Sequence, residues 1–437
     1  MSPSQPRRMT VSKTESVGSA AGYPLGAIER RFGKVSIQTG WSNWAGTQTC
    51  QPESVVKAVS VEQVSETVKD ATKRGISVRP VGAGHSFAPL VPTDGIVLDI
   101  SAISGIVDID REAAQVRVKA GTPIWAMGEP LWDAGLSLKN QGAIDLQTIA
   151  GAISTSTHGS GLQLTALSGS VIGAELITAA GTLERIGPDD PRLPALRASM
   201  GMLGILVSVD LQLEPAFKLK ESLAFRHFAE VLRNWDERNR THRHFSFVRG
   251  PMYDMSAELP PMPRDLDDPT LVRTYDTVPV DAEDDSTPGA RVNRPYRIYP
   301  DVYSTPWDEV EYFLPYDKAQ DAIIACLPIL DRFPDNFPLE VRTVAGDESW
   351  LSPMFGRDSV ALGFCRTFGA DNLPFFHAID RAMSEFDARP HWGKQPYFLA
   401  PDLLRSRYPK WDDFNDARRA LDPTGTFLNA PLRALFG

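Results

Sequence analysis

Between residues 60 and 81 the apolar positions change period. Val61, Val64, Val68 and Ala71 recur at helical spacing. Ser60 and Gln63 fit a capping box, and Gly75 is a natural terminator. The pattern predicts a helix over 60–75 and a strand over 76–81. Apolar runs at 96–100 and 115–118 predict two more strands. A helix is expected over 122–134, with Trp125, Met127 and Leu131 among its apolar residues. Residues 175–186 alternate around Ala180-Gly181 and read as a hairpin, and 203–213 is again strand-rich.

From about residue 216 the composition shifts. Residues 251–300 carry many Pro and Asp and little periodicity, which predicts a loop-rich region with short strands. Strands then alternate with helices: strands over 309–314, 339–344 and 359–364, helices near 317–328 and 373–386. This order predicts an N-terminal extension over 1–40, a first domain over 41–215, a second over 216–394 and a closing segment over 395–437. A chain of 437 residues, 42% hydrophobic and 23% charged, can bury two full cores.

The formal net charge of −10 argues against nucleic acid or an anionic membrane as partner. No apolar run approaches the roughly 20 residues that span a bilayer. Cys50, Cys326 and Cys365 are too far apart for a disulfide framework or a metal pattern, so a reducing cytoplasm fits best. Residues 1–25 are rich in Ser, Pro and Gly. Arg7-Arg8 is followed by no apolar core of a targeting signal, and the segment reads as a disordered extension.

Three segments carry candidate chemistry. After the 76–81 strand comes Gly82-Ala83-Gly84-His85-Ser86, a tight turn whose glycines let backbone N–H groups approach a pyrophosphate. Alone, such a turn is equally an ordinary β-turn with a solvated histidine. Residues 150–161, Ala-Gly-Ala-Ile-Ser-Thr-Ser-Thr-His-Gly-Ser-Gly, have too little bulk for a core strand. They offer close backbone approach and many hydroxyls to a long polar cofactor. The third segment is His391-Trp392-Gly393-Lys394.

In order and spacing the three resemble the aldonolactone and alditol oxidase branch of the vanillyl-alcohol-oxidase-type flavoproteins, over roughly residues 40–437. The resemblance implies an α+β fold of two domains, a PCMH-type FAD-binding domain and an α+β cap whose sheet lies over the flavin. The closing segment would return to the FAD domain. Gly82, Ala83, Gly84, His85 and Ser86 then form the first phosphate loop. Thr148, Gly151, Ala152, Thr155, Thr157 and His158 match the second cofactor stretch, and Leu206 a strand residue near the adenine. His85 stands where relatives often carry a covalent bond to the flavin 8α carbon.

On the substrate side, Lys394 matches a lysine beside the flavin N1–C2 oxygen, where it stabilises reduced flavin and holds a substrate hydroxyl. Glu340 and Arg342 form Glu-Val-Arg on a probable strand. Period-2 alternation puts both on one face, where they can fix substrate hydroxyls. On residue pattern alone, a surface ion pair would be the plainer reading.

The chain departs from the alditol oxidases at Gly363, the place of a histidine that touches the reacting hydroxyl. The nearest histidine beyond it is His377. This favours a bulkier sugar-derived substrate or a different base, and His391 is read as structural from its neighbours. Gly142, in Asn140-Gln141-Gly142-Ala143, matches a position where a small residue admits oxygen. Ala143 replaces a serine.

The expected activity is oxidation of a CH–OH group in a polyhydroxylated small molecule, with oxygen reoxidising FAD and no metal. The alternatives are a dehydrogenase using a quinone or cytochrome, and a flavin binder without turnover. A Rossmann NAD enzyme fits less well still, because the turn lacks the Gly-x-Gly-x-x-Gly spacing and the acidic ribose-binding residue expected about 20 positions on.

Overall fold

In the computed structural model the described residues are 40–250, 259, 262–301, 307–334, 337–367, 369, 371–395 and 399–437. Apart from Gly40, the expected extension over 1–40 lies outside them.

The first layer is a three-stranded parallel sheet. Strands β1 (Ser54–Lys57) and β2 (Val78–Val81) flank β3 (Ile96–Asp99). Helix α1 (Val61–Arg74) makes the crossover and buries Val64, Val68 and Ala71. Its Ser60 hydroxyl accepts the Gln63 N–H, and Gly75 closes it at φ 68°. The Gln63 side chain reaches back to Val59 rather than to the cap itself.

A five-stranded antiparallel sheet follows, built from β4 (Ile106–Asp110), β5 (Gln115–Lys119), β6 (Val171–Ile177), β7 (Leu183–Ile186) and β8 (Ile205–Gln212), in the order β7-β6-β8-β5-β4. The expected hairpin is β6–β7. The helix expected over 122–134 is α2 (Trp125–Asp133). A shorter helix, α3 (Ile149–Ser154), begins at Thr148, whose hydroxyl accepts the Gly151 N–H.

The second layer is an eight-stranded antiparallel sheet. Its strands are β9 (Lys218–His227), β10 (His244–Arg249), β11 (Pro269–Val278), β12 (Val292–Asn293), β13 (Trp307–Pro315), β14 (Leu339–Val344), β15 (Ser359–Thr367) and β16 (Arg389–Pro390). They lie in the order β12-β9-β11-β10-β14-β15-β13-β16. Helices α4 (Ala319–Arg332) and α5 (Leu373–Ser384) cover one face, with Ile323, Cys326, Phe375 and Ile379 in that core.

The ten-residue β11 falls inside the segment expected to be loop-rich. Thr270, Leu271, Val272, Thr274 and Tyr275 are all buried, so no polar–apolar alternation marks it. Residues of the closing segment, from Leu404 to Phe436, share the core of the first layers.

Arg79 ties these parts together. Its side chain is fully buried and donates to the carbonyls of Leu90, Met200 and Phe427. Arg79→Met leaves those oxygens without donors. It should cost about 3–5 kcal/mol, measured as a lowered denaturation midpoint of the purified protein.

Candidate active site

Backbone bonds bring the three sequence segments together. The Phe87 N–H donates to the Gly393 carbonyl at 2.8 Å, which sets the Lys394 turn beside His85. The His391 and Gln395 N–H groups donate to the carbonyls of Glu311 and Glu309, both at 2.9 Å. The His391-to-Lys394 turn is therefore laid along β13. Gly161 donates to the Thr343 carbonyl at 2.8 Å, so the Thr-His-Gly-Ser-Gly run is pinned to β14. The glycines are required by contact. A Cβ on Gly82 would stand 2.0 Å from the Thr148 hydroxyl, and Gly84 has φ 62°.

Two connected cavities result, of about 240 and 100 Å³, which share His85, Ser86, Gln147 and Thr155. The smaller is lined by Gly82, Ala83, Gly84, Thr148, Gly151 and Leu206. The larger takes in Gly142, Thr157, His158, Glu340, Arg342 and Lys394. Every site residue expected from the sequence lines one or the other except Ala152. On α3, Gly151 and Thr155 face the cleft one turn apart. Ala152 points the other way, into the apolar core.

The elongated cleft, narrow and glycine-lined at one end and wide and charged at the other, fits FAD. The buried Gln147 Oε1 in the shared wall has no donor among the described residues, an acceptor open to a bound group.

The His85 ring stacks on Trp44 at 4.7 Å, and the Trp44 indole N–H donates to the His85 carbonyl at 2.8 Å. Burial, with the charge of Lys394, holds the His85 pKa down to about 3, so its imidazole is neutral.

Glu340 and Arg342 do meet. The Arg342 Nε donates to Glu340 Oε1 at 2.8 Å, and Nη2 lies 2.5 Å from Oε2.

Two carboxylates that the sequence reading missed organise the rest. Glu309 Oε2 accepts the Lys394 ammonium at 2.5 Å and the Trp307 indole N–H at 2.8 Å. Burial opposes the Lys394 charge, but Glu309 and Glu311 outweigh it and raise its pKa above that of an ordinary lysine. Glu311 Oε1 lies 3.2 Å from His158 Nε2. The other nitrogen, His158 Nδ1, donates to the Gly159 carbonyl at 2.9 Å, which leaves Nε2 turned to the carboxylate. Burial works against the Glu311 charge, yet His158, then His391 and Lys394, hold its carboxyl well below the usual range.

Burial keeps His391 neutral, its pKa pushed down to about 3. Its Nδ1 accepts the Gly393 N–H at 2.9 Å and closes the turn that aims Lys394. The available signal was two glutamates two residues apart, on one face of a strand whose later half is apolar.

Sheet register explains Gly363. It lies directly between Glu340 on β14 and Glu311 on β13. A Cβ there would stand 3.6 Å from Glu309 Oε1 and 3.8 Å from the Glu340 Cβ. A side chain there would point to the same face as Glu340 and Glu311.

Comparison with known proteins agrees with this geometry. A family described as FAD binding domain matches residues 52–187, and one described as D-arabinono-1,4-lactone oxidase matches 269–435. L-Gulono-1,4-lactone dehydrogenase of Mycobacterium tuberculosis is 32% identical, over 91% of this chain and 99% of its own. The chain belongs to the FAD-dependent aldonolactone and alditol oxidase family. Alditol oxidase of a Streptomyces species is also 32% identical, over 91% of this chain and 99% of its own. L-Gulonolactone oxidase of Mus musculus is 28% identical, with 91% and 98% covered.

Among solved structures, cholesterol oxidase from B. sterolicum superposes over 92% of this chain and 97% of its own. The TM-score is 0.77 at 15% identity, a likeness of fold. The protein is an FAD-dependent oxidoreductase acting on CH–OH groups, with the α+β, PCMH-type fold expected from the sequence. No helix among the described residues is long and apolar enough to cross a membrane.

The Glu311 pair has a sign that can be tested. Its folded pKa is lowered, so its stabilisation is present above the ordinary carboxylate range and lost as pH falls through the lowered value. Glu311→Gln should cost about 1–3 kcal/mol at neutral pH by removing the negative charge that faces His158 and Lys394. The gap from wild type in denaturation midpoint should close as the pH is taken into the acid range.

Proposed function

We propose that the protein oxidises a CH–OH group of a sugar alcohol, aldonolactone or related sugar-derived molecule and passes the electrons to oxygen. The observation that carries this reading is the company kept in one cavity: the Lys394 ammonium, the Glu340–Arg342 pair and the neutral His85. FAD held there would supply the hydride acceptor and the route for electrons onward. The chain's own residues bind and orient. The Glu340–Arg342 fork holds substrate hydroxyls, and Lys394 places its charge where negative charge grows. Gly82, Ala83, Gly84, Ser86, Thr148, Gly151, Thr155, Thr157 and Leu206 hold the cofactor. Residues 41–215 with 395–437 form the cofactor domain, and 216–394 the cap. The three cysteines are free thiols, which suits a reducing compartment such as the cytoplasm.

His85 is the proposed attachment point. A neutral imidazole keeps the lone pair needed to bond the 8α carbon, and Trp44 fixes the ring. Wild-type protein should keep its yellow chromophore through acid denaturation, whereas His85→Ala should release it. Release from wild type would remove the covalent bond.

Gly142 favours oxygen as acceptor. A Cβ at that position would come within 2.8 Å of the Thr157 methyl, so an alanine crowds the cleft wall. The relative from Mycobacterium tuberculosis is named a dehydrogenase, which keeps a second reading: the same oxidation with another electron acceptor.

The test is anaerobic bleaching of the flavin by a panel of polyols, aldonolactones and sugars, followed by air. Bleaching by one class with rapid return of colour is the expected outcome. Slow return would identify a dehydrogenase, and no bleaching would defeat the reading. In the same assay Lys394→Met should slow flavin reduction on the order of 10²–10³-fold.

A further inference from the structure

We infer that Glu309 is the base that takes the proton of the substrate hydroxyl, at its Oε1 atom; the inference rests on the function proposed above. The two oxygens of this carboxylate are in different situations. Oε2 is held by Trp307 Nε1 at 2.8 Å and Lys394 Nζ at 2.5 Å. Oε1 has no protein donor among the described residues, and Glu309 lines the larger cavity. Gly363 contributes no side chain to cover it: one at that position would begin 3.6 Å from Oε1. The group that aims Lys394 thus presents its free oxygen to whatever hydroxyl Lys394 holds.

The other candidates in the cavity are already committed. Both oxygens of Glu340 are taken by Arg342. Glu311 lies against His158 and is held well below the usual carboxylate range, the wrong direction for a base. His391 spends its Nδ1 lone pair on the Gly393 N–H. Burial, then the charge of Glu309, raises the Cys365 thiol, which stays protonated.

The step balances. The substrate O–H bond breaks and its proton passes to Glu309 Oε1. The O–H electron pair becomes the second bond of the new carbonyl. The carbinol C–H pair leaves as hydride to the bound flavin. The charged or titratable groups that line the cavity with Glu309 are Lys394 and His391 from the His391-to-Lys394 turn, Cys365 from β15, Glu340 and Arg342 from β14, Arg273 from β11, Glu311 on its own strand, and Asp301, His85 and His158.

The experiment is stopped-flow anaerobic flavin reduction across pH by the best substrate of the panel, in wild type, Glu309→Gln and Glu309→Asp. FAD content and the oxidised spectrum are recorded for each. Wild-type reduction should slow toward acid pH as the base is protonated. Glu309→Gln should retain FAD, lose 10²–10⁴-fold in reduction rate and lose that pH dependence. The half-saturating substrate concentration should change little, and Glu309→Asp should recover part of the rate and the pH profile.

A Glu309→Gln rate within a few-fold of wild type overturns the assignment and leaves the proposed function standing. A slow variant that keeps the wild-type pH profile also overturns it, making Glu309 only an anchor for Lys394. A wild-type flavin that no polyol, lactone or sugar bleaches defeats the underlying reading, and the assignment with it.

Discussion

A lysine ammonium in the wall of a largely buried cleft is the constraint around which this protein is arranged. Left alone, burial would neutralise it. Glu309 and Glu311 prevent that, and each brings its own consequence. Glu309 needs the Trp307 indole to orient it, which draws the start of β13 against the His85 turn. Glu311 packs its Oε1 against His158 Nε2, which ties β13 to that histidine's segment. One charge therefore binds the cap sheet, the glycine turn and the Thr-His-Gly-Ser-Gly run into a single site.

Antiparallel register does the positioning. Leu271, Val248, Glu340, Gly363 and Glu311 form one row across five strands, and Cys365 faces Glu309 one pleat further. Since strand side chains alternate, all of these address the same face. Chemistry from separate parts of the chain is aligned without any loop having to place it. One position in that row, Gly363, offers no side chain to cover the neighbouring Glu309 and Glu340.

What the sequence made legible follows from range. The α1 helix, the β6–β7 hairpin and the glycine turn are local patterns, with caps, alternation and turn chemistry inside a short window. The Glu340–Arg342 meeting was also local, since a two-residue spacing on a strand suffices. Glu309 and Glu311 escaped because their roles are set by partners 85 and 153 residues away in sequence, Lys394 and His158. The long strand β11 escaped because it is buried on both faces and shows no alternation. Ala152 was carried along with its motif, although helical geometry turns it away from the cleft. The family itself was legible because three glycine- and histidine-bearing segments kept their order and spacing.

Glu309 and Glu311 hold the charge on Lys394, which we propose lies beside the flavin. The most direct measurement is the two-electron midpoint potential of the bound FAD in wild type and in Lys394→Met, at neutral pH. The account predicts a clearly more negative potential in the variant, because reduced flavin loses the cation that stabilises its negative charge. Equal potentials in two proteins with equal FAD content would contradict it.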